Sequence, residues 1–167
     1  LLDILVAFGL FCHFKWVSKI EIFQIPFIGW NMWLNRYVPL RRGDGESIKK
    51  MYMISEERLR EGSSVYFFPE GTRSKTGEMR PFKPGAFILA QKLQLPVLPI
   101  AISGTRAALP KYSLSFHGAH PITVEVLDEI PYEQFAHLSV DEVAAMVRQT
   151  IGESAGGLVP DSAAQLN

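Results

Sequence analysis

Hydrophobic and polar residues recur along the chain with two alternating periods, that of a helix and that of a strand. The helical pattern covers residues 4–14, 22–35, 46–61, 84–93 and 140–151. The strand pattern covers residues 15–19, 37–42, 65–68, 95–105 and 122–130. Because the two kinds of segment follow one another in turn, the sequence predicts an α/β fold with helices packed on a mainly parallel sheet.

Local signals predict where several helices begin and end. Pro26 suits the first turn of the second helix, and Gly62 is placed to end the third. Ser139 and Glu142 form a capping box for the last helix, which Gly152 should end. The residues expected on the inner face of the third helix are Ile48, Met51, Tyr52, Ser55 and Leu59.

The uncharged stretch over residues 22–35 has two interpretations. Phe27, Trp30 and Leu34 share one helical face. The stretch is shorter than the roughly 20 residues needed to cross a bilayer, so it is either a core helix or an interfacial one. Trp30 and Trp33 favour partial membrane contact, whereas an aromatic stripe at helical spacing also fits a packed core.

Length and composition favour one ordinary folded domain. The chain has 167 residues, of which 47% are hydrophobic and 20% are charged. We expect the domain to cover residues 1–152 and the small, polar residues 153–167 to form a flexible tail. The single cysteine, Cys12, cannot form an internal disulfide; it fits a core position and indicates a reducing, cytosolic environment.

The two halves of the chain differ in charge. Residues 1–83 contain 13 Lys and Arg against 9 Asp and Glu, whereas residues 84–167 contain 4 against 8. An anionic ligand should therefore meet the first half, although a chance distribution of solvated charges explains the same difference.

The chain begins at Leu1, inside an apolar run that resembles the start of a buried helix, so we expect it to be a fragment. No signal peptide with a basic n-region is visible, and no apolar run approaches the roughly 20 residues of a membrane span. A membrane anchor would lie upstream of Leu1.

Three polar clusters follow predicted strands. Arg41 and Arg42 end the second strand, residues 70–73 follow the third, and residues 103–105 follow the fourth. Because ligands of parallel sheets bind beyond the carboxyl ends of the strands, we expect all three clusters at one edge of the sheet.

The residue types in these clusters suit a phosphate ester that also carries a hydroxyl. Arginine forks match phosphate oxygens, and each such charge-assisted bond contributes about 1.5–3 kcal/mol. Gly71 lets the backbone approach a ligand closely, and Thr72 supplies a neutral donor. Glu70 would repel phosphate unless it orients an arginine or accepts the substrate hydroxyl. The competing interpretation is a turn held by an ion pair of Glu70 with Arg73.

Other chemistries lack their usual motifs. The sequence contains no G-x-x-x-x-G-K-[ST] loop, no G-x-G-x-x-G after a strand and no G-x-S-x-G elbow. No Cys/His cluster has the spacing of a zinc site. Each histidine has a structural explanation, since His13 fits a packed position and His117, His120 and His137 fit surface positions.

Three segments together carry a family resemblance. They are IPFIGWNMWLNRYVPLRRGD at 25–44, FPEGTRS at 68–74 and LPVLPIAISGT at 95–105. They resemble the second, third and fourth motifs of the lysophospholipid acyltransferase family, whose best-known members are the 1-acylglycerol-3-phosphate acyltransferases. The family's first motif is His, four residues, then Asp. The segment LLD resembles its end, with Asp3 as the aspartate and the histidine ahead of Leu1.

The resemblance implies a role for each matching residue. The missing histidine would take the proton from the lysophospholipid hydroxyl as this attacks an acyl thioester, while Asp3 orients its ring. General-base help contributes about 10²–10⁴ in rate, so the chain as printed should bind substrate but turn it over slowly. Arg42, Glu70 and Arg73 would hold the glycerol-phosphate part of the acceptor.

The remaining matching positions would have supporting roles. Gly71 and Thr72 complete the acceptor loop, and Ser103, Gly104 and Thr105 would shape the acyl or acceptor pocket. The weaker candidates for donor phosphates or anionic headgroups, each with solvated surface as its alternative, are Lys19, Lys75, Arg80 and Lys83.

The resemblance thus implies a glycerolipid acyltransferase-like fold and an enzyme associated with the cytoplasmic face of a membrane. It would move an acyl group from acyl-CoA or acyl-carrier protein to lysophosphatidic acid, giving phosphatidic acid for phospholipid biosynthesis. No metal, prosthetic group or nucleic acid is implied. Two alternatives stay open, namely another acceptor, such as a different lysophospholipid or glycerol 3-phosphate, and a catalytically silent lipid-binding module.

Overall fold

The structure, a computed structural model, describes residues 6–10, 13–72, 74, 78–105 and 120–157. The chain divides into two compact units. We call Cys12–Pro69 the parallel unit, and Leu1–Phe11 with Glu70–Asn167 the antiparallel unit. The domain predicted over residues 1–152 therefore contains parts of both units, and its outer limits stay a prediction.

Three short strands form the sheet of the parallel unit. They are β1 (Phe14–Lys19), β2 (Val38–Leu40) and β3 (Ser64–Tyr66), in the spatial order β2-β1-β3. All run parallel, with Val17 opposite Val38 and Trp16 opposite Tyr66. Their carboxyl ends consequently lie at one edge of this sheet.

Aromatic rings cover part of the same sheet. The ring centroids of Trp16 and Tyr66 are 4.6 Å apart, and those of Trp16 and Phe68 are 5.9 Å apart. Only Trp16 of these three is buried. The strand predicted over residues 65–68 is present but ends at Tyr66. The expectation that it is covered on both faces is wrong, because none of its residues is buried and Phe68 stays partly exposed.

A 3-10 helix over Ile20–Gln24 connects β1 to α1 (Ile28–Leu34). Pro26 lies outside α1, which corrects the prediction that it occupies the first helical turn. The reason is that Phe27 adopts a φ of 64°, which interrupts the helical path ahead of Ile28.

The long helix of the parallel unit is α2 (Gly45–Arg60). Asp44 caps it, since its Oδ1 accepts hydrogen bonds from the N–H groups of Glu46 at 3.0 Å and Ser47 at 3.2 Å. Gly62, with a φ of 82°, follows its end as predicted.

The inner face of α2 agrees only in part with the prediction. Met51 and Ser55 are buried as expected, but Ile48 is exposed. Arg58 is buried instead, because its guanidinium donates to Glu61 at 3.1 Å and its Nε donates to the carbonyl oxygen of Arg36 at 3.4 Å. A charged side chain can be buried when such partners satisfy it.

From Glu70 onward, the described residues of the antiparallel unit form two strands and three helices. They are α3 (Gly85–Leu93), β4 (Ile100–Ser103), β5 (Thr123–Val126), α4 (Tyr132–Phe135) and α5 (Val140–Gly157). The strands pair antiparallel, with Ile100 opposite Val126. The buried core consists of Phe87, Ala90, Ile130, Phe135, Val143, Ala144 and Val147. The predicted strand over 95–105 is shorter in the structure, and Val97 forms only an isolated bridge to Ile130.

The predicted capping box begins α5. Oε2 of Glu142 accepts from the N–H and the hydroxyl of Ser139, both at 2.7 Å, and Oγ of Ser139 accepts from the N–H of Glu142 at 3.3 Å. The predicted end at Gly152 is wrong, because α5 continues to Gly157. A glycine costs a helix only about 1 kcal/mol, which the flanking turns can offset.

The predicted fold class is confirmed, since helices accompany a parallel sheet. Residues 6–10 are helical, but the predicted N-terminal helix does not reach Phe14, because β1 begins there. Cys12 and residues 158–167 lie outside the described residues. Within the described ranges, no helix combines the length and the apolar character that a membrane crossing requires.

Candidate functional site

The structure describes most of the predicted site residues. Those described are Arg42, Glu70, Gly71, Thr72, Ser103, Gly104 and Thr105. Asp3 and Arg73 lie outside the described residues. The convergence of Arg42 and Arg73 on one phosphate therefore stays a prediction, as does the alternative ion pair of Glu70 with Arg73.

Glu70 is held from one side. It is half-buried, and its Oε2 accepts a hydrogen bond from the backbone N–H of Arg80 at 3.0 Å. Its Oε1 receives no hydrogen bond from the described part of the chain. A carboxylate fixed through one oxygen can present the other to a substrate hydroxyl, which is the role that the sequence suggested for Glu70.

Gly71 carries the side chain of Lys83 directly above its backbone. Its φ is 68°, and a Cβ placed on it would lie 2.8 Å from Cε and 3.1 Å from Nζ of Lys83. The positive φ favours glycine at this position, and a Cβ there would also require the Lys83 side chain to move. Lys83, a weaker candidate in the sequence, thus brings an ammonium group to the loop that contains Glu70, Gly71 and Thr72.

The segment that holds Glu70 is itself held by α5. Nη2 of Arg148 donates to the carbonyl oxygen of Met79 at 2.6 Å, and Nε donates to that of Arg80 at 3.2 Å. Sequence reasoning missed Arg148, because it stands on a polar helix face with no motif around it. Arg148 therefore supports the backbone segment that holds Glu70 and is not one of the residues predicted to bind substrate.

Arg42 lies in the turn between β2 and α2, within the parallel unit. The turn is fixed by Ser47, whose Oγ accepts from the N–H of Arg41 at 2.8 Å, and by Gly43 with a φ of 82°. Both arginine side chains are exposed, and neither forms an ion pair with the described residues. Two adjacent guanidinium groups without carboxylate partners can bind an anion.

Ser103 is the last residue of β4, and Gly104 and Thr105 follow it, so this cluster belongs to a different sheet from the one predicted. β4 belongs to the antiparallel pair, in which Ser103 lies opposite Thr123. Gly104 has a φ of 83°, and a Cβ on it would lie 2.0 Å from the carbonyl oxygen of Pro121. The expectation that all three clusters follow strands of a single parallel sheet is wrong for this one, because its strand pairs with β5 instead.

The described residues contain no group of three or more His, Cys, Asp or Glu arranged to hold a metal ion. The expectation that His13 is packed is wrong, because its side chain is exposed with Nε2 3.2 Å from Nζ of Lys15. His120 and His137 are exposed, as predicted. His117 lies outside the described residues. Lys83 and the two turn arginines can bind an anion, and Glu70 can accept a hydrogen bond from a hydroxyl.

Comparison with known proteins gives consistent results. A family model described as Acyltransferase matches residues 1–103. The chain is 40% identical over 153 residues to the chloroplastic 1-acyl-sn-glycerol-3-phosphate acyltransferase BAT2 of Brassica napus. The aligned region covers 92% of this chain and 43% of that protein. It is 46% identical over 109 residues to the chloroplastic 1-acyl-sn-glycerol-3-phosphate acyltransferase LPAT1 of Arabidopsis thaliana. This aligned region covers 65% of this chain and 31% of that protein.

A solved structure is similar as well. The crystal structure of PlsC, the 1-acyl-sn-glycerophosphate acyltransferase of Thermotoga maritima, matches with a TM-score of 0.72 and 26% identity. The match covers 88% of this chain and 57% of that one. The chain spans less than half the length of the two plant relatives.

Proposed function

The chain belongs to the acyltransferase family, and on that premise we propose that it moves an acyl group to the free hydroxyl of lysophosphatidic acid, giving phosphatidic acid. The proposed donor is a thioester, either acyl-CoA or acyl-carrier protein. The relatives named above are 1-acyl-sn-glycerol-3-phosphate acyltransferases, and their names support this acceptor.

The proposed reaction forms one ester and breaks one thioester. The acceptor oxygen attacks the thioester carbonyl carbon, its proton passes to the histidine that the family resemblance places ahead of Leu1, and the thiol leaves with a proton. In this proposal Asp3 orients that histidine. Arg42 and Arg73 bind the phosphate, and Glu70 accepts from the glycerol hydroxyl to fix its direction. Such positioning can contribute several kcal/mol to catalysis.

The observation that carries the proposal is the geometry of the loop Glu70–Thr72. Oε2 of Glu70 is engaged by the N–H of Arg80, while the Lys83 side chain packs on Gly71. The loop thus offers a carboxylate for a hydroxyl, and Lys83 beside it offers an ammonium for a phosphate. An acceptor that carries both groups matches this pair better than either simple lipid or simple phosphate.

We further propose that the protein works at a membrane surface, on its cytoplasmic face, because its acceptor is a lipid. Ser103, Gly104 and Thr105 would shape the pocket beside the substrate. No metal or prosthetic group takes part in the proposed reaction, and no nucleic acid is expected as a partner.

Acceptor binding is the first test, because it does not depend on the upstream histidine. Titration calorimetry should show lysophosphatidic acid binding at least roughly tenfold more tightly than lysophosphatidylcholine of the same chain length, since choline masks the phosphate charge. Glycerol 3-phosphate, the smaller of the alternative acceptors, is titrated in the same way. Equal affinity for the two lysophospholipids would refute the acceptor assignment.

Acyl transfer is the second test. Labelled acyl-CoA and acyl-carrier protein are supplied in parallel, and phosphatidic acid is measured. A chain extended to carry a histidine five residues before Asp3 should turn over about 10²–10⁴-fold faster than the same chain with alanine at that position. Full activity without that histidine would contradict its role. Acceptor binding without turnover in the extended chain would favour the silent lipid-binding module.

A further inference from the structure

The outer face of α1 exposes large apolar side chains. Phe27, Trp30 and Leu34 are 76%, 61% and 83% exposed. The inward positions are Gly29 and Met32, both of which are buried. Large apolar groups therefore lie on the outer face of α1 as well as on the inner one, whereas a surface helix usually turns polar residues outward.

The backbone beneath this face holds it in place. A Cβ at Gly29 would lie 2.0 Å from the carbonyl oxygen of Phe23, so only glycine lets α1 approach the 3-10 helix this closely. The buried Phe23 ring packs edge-on against Trp33, with centroids 4.9 Å apart. The outward direction of the face is therefore set by packing.

Phe27 adds a second, independent observation. Its φ of 64° is strained for a bulky residue, yet its side chain is exposed and fills no core position. The ring instead contacts Trp30, with centroids 5.1 Å apart, on the solvent side. Strain that serves no core packing indicates a functional surface.

The surface associated with α1 is also cationic. Residues 13–42 contain one carboxylate, Glu21, and five cations, of which Arg36 pairs with Glu57 and Glu61 outside this range. The other four cations are Lys15, Lys19, Arg41 and Arg42. Lys19 directly precedes the 3-10 helix that supports α1, and it lies opposite Leu40, which is followed by Arg41. The exposed side chains of Lys19, Arg41 and Arg42 form no ion pair with the described residues.

We propose that Phe27, Trp30 and Leu34, the α1 face, dock on an anionic phospholipid bilayer. Tryptophan and large apolar side chains favour the membrane interface, and nearby cations favour anionic headgroups. At seven residues, or roughly 10 Å, α1 lies in the interface plane and does not cross it. A two-fold contact between copies is disfavoured, because it would place this net positive surface against itself.

Vesicle sedimentation tests the proposal. Wild-type chain is mixed with vesicles of phosphatidylcholine alone or of phosphatidylcholine with phosphatidylglycerol. Binding should favour the anionic vesicles and weaken with added salt. The double variant Trp30→Ser/Leu34→Ser should lower the partition coefficient by roughly a hundredfold, about tenfold for each side chain withdrawn from water.

Met53→Ser is the matched control. Met53 is 72% exposed on α2, so its replacement removes a similar apolar group from elsewhere in the same unit. Binding should be unchanged in this variant. Brominated lipid should quench Trp30 and Trp33 emission in the wild type and leave the emission of the buried Trp16, 3% exposed, largely unaffected.

Three results would overturn the proposal. They are absence of wild-type binding, binding that survives in the double variant, and equal loss of binding in Met53→Ser. Wild-type self-association that the double variant abolishes, without vesicle binding, would assign the face to a second copy.

This inference rests on the proposed function, because a lysophospholipid acceptor resides in a membrane. The two can fail separately. Binding of a short-chain, monomeric lysophosphatidic acid is measured by calorimetry on the same variants. The double variant should keep this affinity while it loses vesicle binding, whereas failure of the proposed function would remove the affinity from the wild type as well.

Discussion

Arg148 donates a hydrogen bond from Nη2 to the carbonyl oxygen of Met79 at 2.6 Å, joining α5 to the segment behind Glu70. Its Nε donates to the next carbonyl, that of Arg80, at 3.2 Å, and the N–H of Arg80 in turn donates to Glu70. The three bonds form one chain within the antiparallel unit. The orientation of Glu70 therefore depends on a residue 68 positions further along the sequence than Arg80.

Arg148→Gln should weaken acceptor binding roughly tenfold, because loss of the two bonds to carbonyls frees the N–H that fixes Glu70. Arg148→Lys should recover only part of the affinity, since one ammonium cannot reproduce the guanidinium fork. Calorimetry with lysophosphatidic acid measures the affinity, and urea unfolding measures stability.

Gln149→Ala is the control for Arg148. Gln149 neighbours it on α5 and bonds only Glu153 among the described residues, at 2.9 Å. Its replacement should leave acceptor affinity unchanged. A loss of affinity in Arg148→Gln no larger than in Gln149→Ala would contradict the positioning role.

Gly71→Ala should reduce both stability and acceptor binding. The φ of 68° costs an alanine about 1–2 kcal/mol, and the new Cβ would displace the Lys83 side chain, which lies 2.8 Å away at Cε. Lys83→Ala removes the steric conflict but not the backbone strain. In a double-mutant cycle, Gly71→Ala should therefore be less damaging in the Lys83→Ala background. Additive effects would show that Lys83 does not pack on Gly71.

Arg73→Ala should raise the acceptor KM at least tenfold, because a charge-assisted bond to phosphate contributes about 1.5–3 kcal/mol. Arg73→Lys should fold normally, retain the charge and bind at intermediate strength. The same comparison with Arg42→Ala tests whether both arginines reach one phosphate, since the two losses would then be non-additive. An unchanged acceptor KM in Arg73→Ala would remove phosphate binding from its role.

Local sequence was enough to identify the α/β class, through its periodicity, and the capping box at Ser139, through its residue types, because both depend on residues close in sequence. It could not assign β4 to its own antiparallel sheet, since that pairing with β5 joins segments far apart in the chain. The same limit hid Arg148. Nothing near it in the sequence reports that its partners are two distant carbonyl groups.

The α1 helix shows a different limit. Helical spacing identified that Phe27, Trp30 and Leu34 share a face, and the structure agrees. Spacing alone could not decide whether that face points inward or outward, because the same spacing of apolar residues occurs in both cases. The tight approach of Gly29 to Phe23 decides it, and this is visible only once the backbone is placed.

The capping box of α5 predicts how stability depends on pH. Hydrogen bonds from the Ser139 side chain and backbone, aided by the charge of His137, lower the pKa of Glu142 below its ordinary value of 4.5. The fold therefore favours the ionised carboxylate. Its contribution is fully present above the unfolded-state pKa and is lost as the pH falls through the lowered folded-state pKa.

Glu142→Gln should accordingly be less stable than wild type at pH 7, and this difference should vanish in acid, below both pKa values. Ser139→Ala should cost about 1 kcal/mol at pH 7, because it removes the N-cap hydroxyl. Asp141→Asn, in the same helical turn, is the control for a carboxylate outside the capping box. Urea unfolding at a series of pH values measures all three variants. A Glu142→Gln difference that persists unchanged into acid would show that the charge of Glu142 does not stabilise the helix.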